Sequence, residues 1–268
     1  MSQIAISNIE FDYNNGKSNF SLNEISFKIN EGDFLSIIGP NGSGKSTLIR
    51  LLTGYLQPKN GDIFLNKKKL TDYTSKEIAK QIAYVPQLPT SIYPFSVYEI
   101  VAMGRYPYLG LSGFERKEDK EKILEIVKLL ELDDILDKGI NEISGGEAQR
   151  AFIARALVQE PQILLLDEPN AHLDIKHQVS IFNLIKRLNE TRDLTIVTVM
   201  HDLNLTKYYS SRVLMLSGGR LFLIGNTDDV ITQENIRSVF DVNVDIQKSE
   251  LTNNQSILIN PGYTTATN

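Results

Sequence analysis

One nine-residue stretch, 39–47, restricts the possible folds of this chain more than any other feature; it reads Gly-Pro-Asn-Gly-Ser-Gly-Lys-Ser-Thr. Its glycines, lysine and first serine match the spacing of a phosphate-binding loop. The apolar run 34–38 precedes it as a buried strand would, and apolar residues at helical spacing follow it. A strand, a glycine-rich loop and a helix in that order direct backbone N–H groups and the positive end of the helix toward an anion. The sequence therefore predicts a nucleoside triphosphate site.

Within this phosphate loop the residue types predict separate tasks. The loop amides would contact phosphate oxygens, Lys45 would place its charge at the β- and γ-phosphates, and the Ser46 hydroxyl would ligate Mg²⁺. The predicted nucleotide-binding residues of the loop are Gly39, Pro40, Asn41, Gly42, Ser43, Gly44, Lys45, Ser46 and Thr47. The loop alone leaves open whether the protein is a kinase, a GTPase or a motor.

Length, charge and cysteine content exclude several other classes. The chain has 268 residues, a net charge of -5 and no cysteine. The length suits one large domain. Without cysteine there are no disulfides, thiolate metal sites or cysteine nucleophiles. The negative charge argues against a broad nucleic-acid-binding face, so no nucleic acid partner is expected. No apolar run approaches the ~20 residues of a membrane-spanning helix, and we expect a cytosolic protein.

Hydrophobic patterning predicts an α/β fold with two additions. Two alternating segments before residue 30 predict an antiparallel sheet. Residues 93–137 are helical in character, and their helix at 115–132 carries Glu118 and Lys122 as an expected i,i+4 pair. The predicted fold is therefore a phosphate-loop NTPase (RecA-like) core with an N-terminal antiparallel β sub-domain and an inserted α-helical sub-domain. It would be a single domain, 1–268. The core with its β sub-domain would comprise residues 1–87 and 161–268, and the helical sub-domain would comprise residues 88–160.

Two carboxylates follow the apolar strand predicted at 163–166. Adjacent charges at the end of a buried strand are costly unless they are used. Strand alternation would separate them, so that Asp167 serves Mg²⁺ while Glu168 faces the γ-phosphate and orients a water. The alternative interpretation is a simple turn closed by Pro169.

A second glycine pair occurs in the stretch 144–147, Ser-Gly-Gly-Glu. Ser144 and Glu147 have the spacing of a capping box for a helix expected from about Ala148. Gly145 and Gly146 are not required by such a box, and glycine weakens a first helical turn. Close approach of an anion to this backbone is the functional interpretation.

Taken in order, these features resemble the nucleotide-binding subunit of an ATP-binding-cassette transporter, and the resemblance covers almost the whole chain. It adds four positions whose residue types alone say little: Tyr13, Gln87, Asp174 and His201. Two residues differ conservatively from the signature sequence of that family: Ile143 stands where leucine is commoner, and Glu147 where glutamine is commoner.

The resemblance implies a role for each matching position. Tyr13 would stack on adenine, and Gln87 would reach Mg²⁺ and the attacking water. Glu168 would be the general base, and His201 would contact the γ-phosphate. The implied catalytic set is Glu168, His201, Gln87 and Lys45, and the implied Mg²⁺ ligands are Ser46, Gln87 and Asp167. The stretch Ser144, Gly145, Gly146 and Glu147 would bind the γ-phosphate of ATP held by a second copy, with Asp174 at the dimer interface.

The resemblance also implies partners. ATP and Mg²⁺ would be bound between two copies of the chain, on the cytoplasmic side of the cell membrane, against integral permease subunits and, indirectly, an extracytoplasmic substrate-binding protein. The stretches 101–108, 201–204 and 239–242 resemble importers of iron-siderophore, haem and cobalamin. The alternatives are a zinc or manganese importer and a soluble cassette ATPase of translation or DNA repair. A phosphate-loop kinase would not explain the stretch 144–147.

Overall fold

The structure is a computed structural model that describes residues 2–13, 20–87, 94–110, 115–171, 173–248 and 255–260. Its strands are β1 Ser2–Asp12, β2 Ser21–Asn30, β3 Phe34–Ile38, β4 Asn60–Leu65, β5 Lys68–Lys69, β6 Ile82–Val85, β7 Ile163–Asp167, β8 Thr195–Val199, β9 Arg212–Ser217, β10 Arg220–Asn226, β11 Val244–Lys248 and β12 Gln255–Ile259. Its α-helices are α1 Lys45–Leu52, α2 Ser75–Ala79, α3 Val97–Ala102, α4 Lys117–Leu129, α5 Gly145–Leu157, α6 Ile175–Arg192, α7 Leu203–Tyr209, α8 Thr227–Val230 and α9 Gln233–Phe240.

A six-stranded sheet organises the molecule, in the order β10-β9-β3-β8-β7-β6. The five strands from β9 to β6 in this order run parallel, and β10 returns antiparallel to β9. Parallel strands end at one common edge, which is where open α/β sheets bind ligands. The residues that follow β3, β8, β7 and β6 therefore meet along that edge.

Both faces of this sheet are covered. Every residue of β3, β7 and β8 is buried, which explains why these strands read as nearly continuous apolar runs. On β3, Leu35 and Ile37 pack with the N-terminal strands and α1. Phe34 and Ile38 pack on the other face with apolar residues of α5 and α6. This alternation sandwiches the sheet between two hydrophobic cores.

The N-terminal strands form the predicted antiparallel sheet, in the order β2-β1-β4-β5. Helices α3, α4 and α5 fall between β6 and β7 in the chain, as the helical character of that region predicted. The α/β class with its phosphate-loop core is thus confirmed. The division at 87/88 and 160/161 stays a prediction.

Several boundaries differ from the sequence-based expectation. Helix α5 begins at Gly145 rather than near Ala148, because the Ser144–Glu147 capping box closes at that point. Helix α7 was not expected; the Asp202 carboxylate caps it by accepting from Leu205 N–H at 2.9 Å. The predicted Glu118–Lys122 pair is wrong. Lys122 instead contacts Glu125 on the same helix at 3.2 Å and Glu160, which follows α5, at 3.3 Å.

Among the described helices, none has the combined length and apolar character needed to span a membrane.

Candidate active site

The phosphate loop runs from β3 into α1 and has a shape that depends on glycine. Gly42 and Gly44 have positive φ angles of 79° and 104°, which residues with a Cβ rarely adopt. A Cβ at Gly44 would also lie 2.5 Å from Leu22 Cδ2 and 2.6 Å from Phe20 Cζ. The N-terminal sheet therefore packs directly against the loop and supports its backbone.

Lys45 is buried at the start of α1, with its ammonium group turned into the loop. Its Nζ donates to the carbonyl oxygens of Gly39 at 2.9 Å and Pro40 at 3.0 Å. Burial lowers the pKa of Lys45, while the charges of Glu168 and Asp167 oppose that shift. Nearby, the buried Ser43 Oγ has no hydrogen-bond partner within the described residues. A buried cation beside an unpaired hydroxyl fits an anionic ligand, because each is costly to bury alone.

The predicted Mg²⁺ residues Ser46 and Asp167 are brought together. Asp167 Oδ1 accepts from the Ser46 hydroxyl at 3.3 Å, and Oδ2 accepts from the Tyr84 hydroxyl at 3.4 Å. Burial raises the pKa of Asp167 and the charge of Glu168 adds to it, while the Ser46 hydrogen bond opposes the rise. Carboxylate and hydroxyl oxygens are the hard ligands that Mg²⁺ prefers, so the residues present fit the ion.

Side chains from the ends of three strands meet at Glu168, which follows β7. Its Oε1 lies 2.5 Å from His201 Nε2, which follows β8, and its Oε2 accepts from Gln87 Nε2, which follows β6, at 2.9 Å. Its backbone is left-handed, with φ of 50°. This turn, rather than strand alternation alone, separates its side chain from that of Asp167. A left-handed residue other than glycine costs about 1 kcal/mol and persists where its surroundings fix it.

Tyr13 lies beside the phosphate loop. Its hydroxyl is 3.2 Å from Thr47 Oγ1, and its ring meets Phe11 edge-on at 4.9 Å. A cavity of about 260 Å³ is lined by Tyr13, Phe20, Glu168 and residues of the phosphate loop, Lys45 among them. One cavity therefore contains the ring expected to stack on a base, the expected phosphate ligands and the expected general base.

The stretch Ser144–Glu147 does not join this cavity. Ser144 and Gly145 are exposed at the N-terminus of α5, whereas Gly146 is buried. The Ser144 hydroxyl and backbone N–H hold the pKa of Glu147 below its usual value. No hydrogen bond in the described part of the chain links this stretch, or Asp174, to the group around Glu168. The helix N-terminus is left as a separate surface.

Two residues near these groups were missed from sequence. Tyr84 donates to Asp167, and burial followed by the Asp167 charge raises its pKa to about 12, so it remains a donor. Its proximity depends on the pairing of β6 with β7, where Tyr84 lies opposite Leu165, and that pairing was not predictable. His177 contacts Asp174, and its ring fills the space that a Cβ at Gly146 would need. Its place three residues after the Asp174 cap was a signal that helix-capping rules could have used.

The parallel sheet, the glycine-rich loop and the carboxylate–histidine group together define a phosphate-loop ATPase. The ABC transporter family profile matches residues 22–171, and the chain belongs to this family. Proteins of this family bind and hydrolyse ATP, which confirms the ATPase activity predicted from the sequence.

Three similar proteins extend this result. The probable siderophore transport system ATP-binding protein YusV of Bacillus subtilis (strain 168) is 37% identical over 86% of this chain and 84% of its own length. A chain of an inward-facing ABC transporter assigned to the metal-chelate type superimposes with a TM-score of 0.86 at 28% identity, covering 99% of both chains. A dimeric ATP-binding cassette in a post-hydrolysis state with ADP and phosphate has a TM-score of 0.74 at 31% identity, covering 84% of this chain and 98% of its own.

Proposed function

We propose that this protein is the ATP-hydrolysing subunit of a membrane importer for metal chelates of the iron-siderophore, haem or cobalamin class. The observation that carries the proposal is that His201 and Gln87 both contact Glu168, which lines the same cavity as Lys45. The named siderophore relative and the metal-chelate transporter support the substrate class. The subunit would bind permease subunits at the cytoplasmic face of the membrane, with a substrate-binding protein on the opposite side.

Hydrolysis needs positioning and charge more than covalent chemistry. The loop amides and Lys45 bind the β- and γ-phosphates. Ser46, Asp167 and Gln87 would hold Mg²⁺, which supplies positive charge at the phosphate oxygens. Glu168 accepts a proton from water as the water oxygen attacks the γ-phosphorus and the bond to ADP breaks. His201 and Gln87 orient the Glu168 carboxylate, since each already contacts one of its oxygens.

A second copy would complete the site. The exposed N-terminus of α5 is the positive end of a helix, and the first N–H groups of a helix have no partner within it, so this end attracts a phosphate. It lies outside the chain's own cavity, so it would bind the γ-phosphate of ATP held by the partner. The dimeric relative with ADP and phosphate supports this arrangement. Cleavage removes the bridging phosphate, the dimer opens, and the motion is passed to the permease.

Mixing two inactive variants tests the shared site. Ser144→Arg blocks the α5 N-terminus, and Glu168→Gln removes the base. Each homodimer should be inactive, whereas a mixed dimer contains one intact site built from Glu168 of one chain and Ser144 of the other. Random pairing should restore about a quarter of wild-type turnover, measured as phosphate release. A mixture that stays inactive, although both variants bind ATP, would refute the shared site.

Lys45→Ala should weaken ATP binding by about a hundredfold, because hydrogen bonds to charged groups contribute about 1.5–3 kcal/mol. Titration with a fluorescent ATP analogue measures the affinity. Lys117→Ala is the matched control: it removes the same charge from a side chain that is 92% exposed on α4, and it should leave the affinity unchanged. Equal affinities for wild type and Lys45→Ala would argue against the phosphate-loop assignment.

A further inference from the structure

The imidazole ring of His177 occupies the space beside Gly146. A Cβ at Gly146 would lie 2.5 Å from His177 Cδ2 and 3.0 Å from its Cγ. Gly146 is the second residue of α5 and is buried, and His177 is the third residue of α6. The absence of a side chain at Gly146 is therefore explained by packing within the chain. This differs from the expectation that both glycines serve the approach of an anion.

Asp174 holds the His177 ring in place. The Asp174 Oδ1 atom is 2.8 Å from His177 Nδ1 and accepts the His177 backbone N–H at 2.9 Å. The same carboxylate caps α6. The contact at Nδ1 restrains the ring beside Gly146. Beside it, a Cβ placed on Gly145 would lie 3.4 Å from Leu173 Cδ2.

Backbone hydrogen bonds also lie between the start of α6 and the backbone of Glu168. The backbone turns directly after Glu168, with Ala171 N–H donating to Glu168 O at 3.1 Å and Leu173 N–H donating to Asn170 O at 3.3 Å. Asp174 and His177 follow. Two backbone hydrogen bonds thus lie between the Glu168 end of β7 and the start of α6, whose His177 packs beside the first turn of α5 in the same chain.

We propose that His177 is a positioning residue that acts on the partner's reaction. This inference rests on the proposed function, in which the N-terminus of α5 binds the γ-phosphate held by the other copy. The ring, fixed by Asp174, sets the position of the Gly145–Gly146 backbone against α6. Its loss would let that backbone shift, so hydrolysis would slow at the site to which this chain lends α5. Hydrolysis at the chain's own phosphate loop would be unaffected.

First-turnover phosphate release in mixed dimers separates these two sites. A trace of a chain with intact Glu168 is mixed, before ATP is added, with a large excess of a Glu168→Gln chain. Only the trace chain then hydrolyses ATP, and the excess chain lends it α5. Three mixtures are compared: wild type with Glu168→Gln, wild type with Glu168→Gln/His177→Ala, and His177→Ala with Glu168→Gln.

The second mixture should be slower than the first by about tenfold, as expected when a group is displaced from its binding geometry. The third should match the first, which also shows that the His177→Ala chain folds and binds ATP. Glu190→Ala, an exposed substitution near the far end of α6, should leave the rate unchanged when it replaces His177→Ala in the excess chain.

Equal rates in the first and second mixtures, or a slow third mixture, would overturn the role of His177. The proposed function fails separately: in that case the Ser144→Arg and Glu168→Gln chains would not restore activity to each other. If the Ser144→Arg and Glu168→Gln chains restore activity to each other, but the second mixture releases phosphate as fast as the first, only the role of His177 is refuted.

Discussion

Replacing Glu168 by glutamine is expected to reduce ATP turnover by about a thousandfold, within the range attributed to general acid–base catalysis. Glutamine has nearly the same size and can still contact His201 and Gln87, which lie 2.5 Å and 2.9 Å from the carboxylate oxygens. It cannot accept the proton of the attacking water. Steady-state phosphate release measures turnover, and nucleotide titration should show that ATP affinity is retained.

The same variant should accumulate as an ATP-bound dimer, because the bridging γ-phosphate is no longer removed. Sedimentation with ATP and with ADP would show the dimer only with ATP. Glu118→Gln makes the same chemical change at an exposed position of α4 and should behave as wild type. Turnover of Glu168→Gln close to the normal rate would exclude Glu168 as the base.

The sequence predicted the local parts of the site because each is specified by a few neighbouring residues. The phosphate loop needs glycines at fixed positions, and at Gly44 the structure has a positive φ and no room for a Cβ beside Leu22. The helix after Ser144 was anticipated from its capping box, although its first residue was displaced. The buried strands were recognisable because both faces of the sheet are covered.

The arrangement of these parts in space could not be derived from spacing. The meeting of Gln87, Glu168 and His201 requires β7 to lie between β8 and β6, and the transporter resemblance, rather than periodicity, supplied their common role. Lys122 pairs with Glu160, which follows α5, because tertiary packing overrides the i,i+4 rule. Tyr84 and His177 lie beside functional groups through strand pairing and helix packing that no local pattern encodes.

A buried ion pair stabilises the helical part of the molecule and gives the largest expected change in stability. Arg105 donates through Nε to Asp119 at 2.8 Å and through an NH1 hydrogen to Val158 O at 2.7 Å, and its guanidinium lies 3.9 Å from the Tyr108 ring centre. The two side chains are 7% and 4% exposed. Burial alone would raise the pKa of Asp119, but the Arg116 N–H and the Arg105 guanidinium hold it below its ordinary value.

Arg105→Ala should therefore destabilise the fold by about 3–5 kcal/mol at pH 7, the usual cost of leaving one charge of a buried pair uncompensated. In the wild type the depressed pKa of Asp119 stabilises the fold above the unfolded pKa, and that contribution is lost as the pH falls. In the variant the Asp119 carboxylate loses the guanidinium and keeps the Arg116 N–H, so its pKa should be higher than in the wild type and acid should neutralise it more readily. The difference in the free energy of unfolding between wild type and Arg105→Ala should therefore shrink as the pH falls toward about 4.

Urea unfolding of both proteins at neutral and acidic pH measures this difference. Removing both charges together, with Arg105→Met and Asp119→Leu, should recover most of the lost stability, because well-packed apolar residues often replace buried ion pairs without loss. Lys117→Ala, which removes a charge from the exposed pair with Glu121, should leave the midpoint unchanged. If Arg105→Ala were no less stable than the double variant at neutral pH, the cost would not arise from the stranded carboxylate of Asp119, and the pair would serve packing alone.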